Sequence, residues 1–196
     1  QNAEFCVLEI GCATRASKIH SFCKERNLGG LEFLRQIPGL LGGLLKMNAG
    51  LKDECISANL LSVNLAKNEL LREEIAFSYR FCPINEAMFS AKFKLKFGFD
   101  AQKDELLKSA RSNQPSGASF GSIFKNPKGD FAGRLVEAVG LKGLKKGGAM
   151  ISDKHANFLI NVKNASFEDA IYLIELAEKR VFDEFGLHLE REVVVI

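Results

Sequence analysis

The sequence breaks at one place. Residues 109–117 read Ser-Ala-Arg-Ser-Asn-Gln-Pro-Ser-Gly, rich in turn formers and nearly free of apolar side chains. Such a run ends any helix or strand that enters it. It divides the chain into 1–108 and 109–196, and 196 residues suffice for one large domain or two small ones. Apolar residues make up 46% and charged residues 26%, so both parts can draw on a globular core. A net charge of +3 is too small to argue for nucleic acid, and the basic residues are dispersed apart from Lys142, Lys145 and Lys146. No apolar run approaches the roughly 18 residues of a membrane span. Five cysteines lack a CxxC or metal spacing, so no metal is expected, and their odd number fits reduced thiols in the cytoplasm.

In the first part, residues 5–12 form an apolar run that reads as a buried strand. Thr14 is placed to cap a helix to about Glu25, with Ala16, Ile19, Phe22 and Cys23 on one face. Leu31–Leu34 starts a short helix. Residues 37–50 then carry Ile37-Pro38-Gly39, Gly42-Gly43 and Asn48-Ala49-Gly50 in an apolar context. Two readings stand: a tightly packed turn between helices, or a backbone that approaches a flat or phosphorylated ligand closely. Residues 55–66 and 71–80 alternate on either side of Lys67-Asn68-Glu69, the pattern of a hairpin. Its second arm ends in Tyr79-Arg80, where the arginine is either a carboxylate or phosphate clamp or a rim residue in a salt bridge. Residues 88–98 alternate lysine with apolar residues, as a half-exposed strand does. Asp100 caps a helix over 101–112.

Beyond the break, Ser119 to Asp130 places Ser122, Lys125 and Asn126 within five residues, beside Phe120 and Phe124. Gly121 and Gly129 allow close backbone approach. This is either a surface loop with turn chemistry or a clamp for an anionic, hydrogen-bonding ligand. A short helix over 131–139 follows. Strands at 147–152 and 157–162 flank a loop with His155, which either touches a ligand or is simply solvated. Ser166 opens a helix over 167–185 that Gly186 closes. Residues 189–196 read as a final strand, with Glu190 and Glu192 on one face, either as a catalytic acid or as surface charge.

Taken together, these blocks resemble the UDP-N-acetylenolpyruvoylglucosamine reductase family. They are Gly30-x-Glu32 with the 37–50 turns, then Tyr79-Arg80, then Gly121-Ser122-x-Phe124-Lys125-Asn126-Pro127. The resemblance continues through Ala132-Gly133-x-Leu135, Gly147-Gly148-Ala149, Ser152-x-Lys154-His155-Ala156-x-Phe158 and Leu189-Glu190-x-Glu192-Val193. Their order and spacing cover nearly the whole chain. Departures are Gln36 before the Ile-Pro-Gly turn, Leu44 after the double glycine, and Phe81-Cys82 after Tyr79-Arg80. The resemblance implies a two-lobed α+β fold: the second part of an FAD-binding domain over 1–108, and a substrate-binding domain over 109–196. The family's N-terminal flavin subdomain has no counterpart here. The chain also opens without methionine and runs almost at once into a strand, so the expectation is a sequence that begins partway through a longer protein.

Implied with it is an NADPH-driven, FAD-dependent reduction of the enolpyruvyl ether of UDP-N-acetylglucosamine to UDP-N-acetylmuramate, a step in peptidoglycan precursor synthesis. Catalytic roles fall by motif on Ser122 as proton donor and on Arg80 and Glu192 at the substrate carboxylate. Glu192 assists only when protonated, since a second anion would repel. Flavin contacts fall on Ile37, Pro38, Gly39, Gly42, Gly43, Asn48 and Gly50. Substrate contacts fall on Tyr79, Lys125, Asn126 and His155, with Lys125 or a water steadying the Ser122 alkoxide. No nucleic-acid or membrane partner is implied, and the full-length protein is expected to be a monomer. Apolar surface around 37–47 would favour self-association of the chain as given. The alternative is a truncated, catalytically inactive fragment that binds the UDP-sugar.

Overall fold

The computed structural model describes residues 4–195, and the chain parts into two units, Gln1–Ser112 and Asn113–Ile196. The divide lies four residues past 108/109 for a local reason. Arg111 Nη1 donates to Gln36 O at 2.5 Å, and Ser112 N–H bonds Ser109 O at 3.1 Å, so 109–112 stay with the first unit.

The first unit runs β1 (Phe5–Gly11), α1 (Ala16–Glu25), β2 (Leu28–Gly29), a 3-10 turn (Glu32–Gln36), α2 (Leu41–Lys46), β3 (Gly50–Leu51) and β4 (Glu54–Cys55). It continues with a 3-10 turn (Ile56–Asn59), β5 (Leu60–Asn64), β6 (Glu69–Leu71), a third 3-10 turn (Arg72–Glu74), β7 (Ser90–Phe97) and α3 (Ala101–Ser109). β7 is the axis of its sheet. It pairs antiparallel with β1 from Phe5↔Lys96 to Gly11↔Ser90, and with β5 on its other side. Its period of two sends Ala91, Phe93 and Leu95 into the core, while Lys94 and Lys96 stay wet. Burying Phe93 or Leu95 contributes about 1.5–3 kcal/mol each over leaving it exposed. Ala16, Ile19 and Cys23 of α1 join the same core.

A buried carboxylate ties α3 to α1. Asp104, 1% exposed, lies 3.0 Å from His20 Nε2 and accepts from Arg35 Nη1 at 2.9 Å. Phe99 stands edge-on to the His20 ring, with centroids 5.6 Å apart.

Three local expectations are corrected. Arg15, not Thr14, is the N-cap of α1, and its side chain makes no capping bond. Of the arm expected over 71–80 only Leu71 lies in a strand, as the last residue of β6, because Glu74 accepts from Leu71 N–H at 2.6 Å and closes a 3-10 turn there. Within 37–47, all of them described residues, Leu40 is the single large apolar side chain left exposed; Leu41, Leu44 and Leu45 are buried.

The second unit runs β8 (Ala118–Ser122), α4 (Ala132–Ala138), β9 (Lys145–Lys146), β10 (Ala149–Ile151), β11 (Phe158–Asn161) and α5 (Phe167–Phe185). Its antiparallel sheet has the order β8-β11-β10-β9. α5 buries Leu173, Ile174, Ala177 and Val181, the spacing of one helical face. Ser166 Oγ accepts from Asp169 N–H, and Asp169 returns the bond to Ser166 N–H while also accepting from Gly148 N–H at 2.9 Å. Those backbone donors, Gly148 first, hold the Asp169 carboxyl below its usual range. Gly186 ends the helix in the left-handed region at φ 64°. The strand expected over 189–196 is replaced by irregular chain with one bridge, Phe124↔Arg191. Ile196 lies outside the described residues.

No helix among the described residues is long and apolar enough to cross a membrane, and no group of three or more potential metal ligands occurs among them. Cys12, Cys23 and Cys82 are buried; Cys6 and Cys55 are half-buried. Burial first, then the charges of Glu32 and Cys6, push the Cys23 thiol from 9.0 up to about 12. In the native protein at pH 8, iodoacetamide is therefore expected to label Cys6 and Cys55, while the other three react only after denaturation. Mass spectrometry of the labelled peptides checks this, and native labelling of Cys23 would refute it. A thiol that keeps its proton longer in the fold than in the unfolded chain stabilises the fold fully below pH 9. That contribution fades as pH rises from 9 toward about 12, at about 1.4 kcal/mol per pH unit.

Candidate functional site

In the second unit the site is built on a short strip, residues 122–125, held from both sides. On one side Ser122 pairs with Phe158 of β11. Ile123 N–H donates to Asn157 O at 2.8 Å. Asn157, 4% exposed, then acts as a substitute strand: its Oδ1 accepts from Phe124 N–H at 2.9 Å and its Nδ2 donates to Phe124 O at 2.8 Å. On the other side Glu192 N–H donates to Ile123 O at 2.8 Å, and Lys125 N–H donates to Glu190 O at 2.8 Å. The strip thus brings Ser122 and Glu192, far apart in the sequence, to neighbouring backbone positions, and both are half-buried.

The partner segment is itself fixed. Arg191 forms a bidentate pair with Glu178 of α5, at 2.5 and 2.6 Å. Arg191 is thereby turned to the helix. Glu190 and Glu192 differ in setting: the Glu190 side chain is 72% exposed and carries an ion pair with Lys125 Nζ, whereas Glu192 is half-buried. The Lys125 ammonium, which with a water was a candidate to steady the Ser122 alkoxide, pairs with Glu190.

Asn126 and His155 also belong to this unit. Asn126 is exposed, and its Oδ1 accepts from Ala132 N–H at 3.1 Å, the first residue of α4. His155 is half-buried. Its Nδ1 accepts from Asn157 N–H at 3.2 Å, and its ring stands edge-on to Phe158 at 5.0 Å. Ser152 Oγ accepts from Lys154 N–H and His155 N–H, so the loop that carries the histidine is braced from within. Motif reading assigns no role to Asn157 or Ser152, although Ser152 stands in the block Ser152-x-Lys154-His155; the available signal for Asn157 is a polar residue between Ala156 and Phe158 at the head of an apolar strand.

The remaining expected site residues lie in the first unit. Ile37, Pro38 and Gly39 line a cleft of about 500 Å³ with Arg15, Ser17, Arg35 and Leu40. Ala16 N–H donates to Gly39 O at 3.0 Å, and Leu41 N–H to Thr14 O at 2.9 Å, which sets the turn against the start of α1. At Gly39 and Gly43 a side chain would meet nothing within 4 Å, so open space lies above the backbone there. Of the two guanidinium groups on this lining, Arg35 is already paired, its Nη1 donating to Asp104 at 2.9 Å and to Glu105 at 2.8 Å. Gly42 is closed in by Cys12, whose own Cβ would lie 3.4 Å from a Cβ at residue 42.

Asn48 and Gly50 are tied to Tyr79-Arg80. Asn48 is buried with φ 39°, and its Nδ2 donates to Ser78 O at 2.9 Å. Asn48 Oδ1 is buried without a hydrogen-bond partner. Residue 50 must be glycine, since a Cβ would collide with Glu54 O across the β3–β4 pair. Arg80, at φ 53°, donates from Nη2 to Gly50 O at 3.2 Å and stacks over the exposed Tyr79 ring at 5.0 Å.

Residues 113–196, the second unit, match the family model described as UDP-N-acetylenolpyruvoylglucosamine reductase, C-terminal domain. The chain is 69% identical over 196 residues to a Campylobacter jejuni (strain RM1221) protein named UDP-N-acetylenolpyruvoylglucosamine reductase, covering 100% of this chain and 76% of that protein. A Helicobacter hepaticus protein of the same name is 48% identical, with 96% and 72% covered. The crystal structure of UDP-N-acetylenolpyruvylglucosamine reductase (MurB) from Thermus caldophilus superposes with a TM-score of 0.86 at 33% identity, covering 96% of this chain and 72% of that one.

Proposed function

The chain belongs to the UDP-N-acetylenolpyruvoylglucosamine reductase family, and we propose that it carries the residues with which that reaction is run, in an FAD-dependent, NADPH-driven enzyme. The observation that supports this most is the strip 122–125, which sets a hydroxyl and a carboxyl on adjacent chain segments around one ladder. Bound FAD would supply a hydride to the vinyl group, with NADPH restoring it, and residues 37–39, 42–43 and 48–50 would hold it.

Ser122 gives a proton to the vinyl carbon that does not receive the hydride. Until that proton arrives, the added hydride would leave negative charge on the substrate's carboxylate. Arg80 answers it with a planar fork of donors whose direction is preset by its left-handed backbone and its bond to Gly50 O. Glu192 assists in its protonated form, as a donor to the same charge. Lys125, neutralised by Glu190, orders the rim and, with Asn126, Tyr79 and His155, takes polar groups of the UDP-sugar.

The test is a single turnover without oxygen. The full-length protein, loaded with FAD and reduced with NADPH, is mixed with UDP-N-acetylenolpyruvoylglucosamine. Return of the oxidised flavin absorbance with one UDP-N-acetylmuramate per flavin is the expected outcome. A protein that binds the UDP-sugar but leaves the flavin reduced is a binding module, and this reading would be wrong.

A further inference from the structure

Asn48 and Arg80, at φ 39° and 53°, are two of the four non-glycine residues with a left-handed backbone among the described residues of the first unit, beside Asn27 and Lys52. Non-glycine residues in this region persist only where the surroundings over-determine them, and such strain gathers at working sites. Here the two are joined. Tyr79 and Arg80 are the central residues of a tight turn, in which Ser78 N–H bonds Phe81 O at 3.1 Å and Phe81 N–H bonds Ser78 O at 3.2 Å. The same Ser78 O accepts from Asn48 Nδ2 at 2.9 Å. Two residues on, Gly50 O accepts from the Arg80 guanidinium at 3.2 Å. The segment 48–50 therefore grips the turn at its base and the arginine at its tip.

That segment is rigid where it does so. Gly50 pairs with Cys55 across β3 and β4, Ala49 O accepts from Ile56 N–H at 2.9 Å, and Ala49 N–H bonds Leu44 O at 2.8 Å. Asn48 itself is 8% exposed. Its amide donor is spent inside the protein.

We infer that Asn48 is a positioning residue for Arg80, fixing the direction of the guanidinium through the Ser78 carbonyl. This rests on the proposed role of Arg80 at the substrate carboxylate. Asparagine suits the task because it tolerates the left-handed region and carries a side-chain N–H donor. Glycine would keep the backbone and lose the donor; aspartate would face the Ser78 carbonyl with an acceptor.

The experiment is a double-mutant cycle on the full-length, FAD-loaded protein. The readout is the rate at which the NADPH-reduced flavin is reoxidised by UDP-N-acetylenolpyruvoylglucosamine. Asn48→Gly in the native background is expected to slow it about 10–100-fold, the scale of a group misplaced by an ångström. In an Arg80→Lys background, where the fork is already gone, the same change is expected to slow it less than about twofold, which is the coupling a double-mutant cycle isolates. Equal losses in both backgrounds would overturn the inference, because a flavin contact or a general loss of structure acts regardless of residue 80. No loss in either would also overturn it. Melting curves check that Asn48→Gly folds, and Asn48→Asp, expected to behave in the same way, serves if it does not. A normal rate for Arg80→Lys alone, with the cycle otherwise as expected, would instead fault the reading of Arg80 as a bidentate clamp.

Discussion

Ser122→Ala is expected to lower the rate of substrate reduction by about 10²–10⁴-fold, the range a positioned general acid contributes. Reduction of the flavin by NADPH involves no proton transfer from this hydroxyl and is expected to continue near its native rate. The contrast between the two half-reactions carries the argument. The change removes one oxygen from a half-buried residue at the end of a strip that is clasped on both sides at Ile123 to Lys125, so the strip itself should persist. Stopped-flow absorbance of each half-reaction measures both. Equal losses in the two would show that Ser122 supports the fold or the flavin and is not the proton source.

Asn157→Ala is the substitution expected to damage the second unit most directly. Its side chain satisfies both the N–H and the C=O of Phe124, a residue 1% exposed. Truncation removes two hydrogen bonds and leaves two buried backbone groups without partners, each at about 1–3 kcal/mol. A loss of about 2–4 kcal/mol is the outcome expected in urea unfolding, with the midpoint moved and the slope unchanged. Because Phe124 lies between Ser122 and Lys125, substrate reduction should fall with it even below the unfolding transition. An unfolding midpoint within experimental error of the native one would show that water satisfies Phe124 equally well, and that Asn157 does not hold the strip.

Parts of this architecture were readable from local chemistry. The helix over 167–185 follows from Ser166, Asp169 and Gly186, all of which act within one turn of the helix they bound. β7 follows from its alternation, since the same period that places Phe93 inward places Lys94 outward. The break near 109–117 follows from residues that suit neither element. Elsewhere the local signal misled. Residues 71–80 alternate like a strand, yet Glu74 folds back on Leu71, and Tyr79-Arg80 close a turn. Residues 189–196 alternate too, but a salt bridge to α5 takes Arg191, and only one bridge to Phe124 forms.

Residue types and their order were enough to point to the family and to nominate Ser122, Arg80 and Glu192 as candidates, because a motif is a property of the chain as written. Which groups those residues touch is set by segments distant in the chain. The spacing of residues 122 and 192 says nothing of the hydrogen bond between Glu192 N–H and Ile123 O, and Asn157 is one polar residue among many until β11 places it against Phe124. Hydrogen bonds and burial depend on three-dimensional neighbours, and only folding chooses those; hence the partner of Lys125, the grip of Asn48 on Ser78 and the pairing of His20 with Asp104 came from the tertiary structure alone.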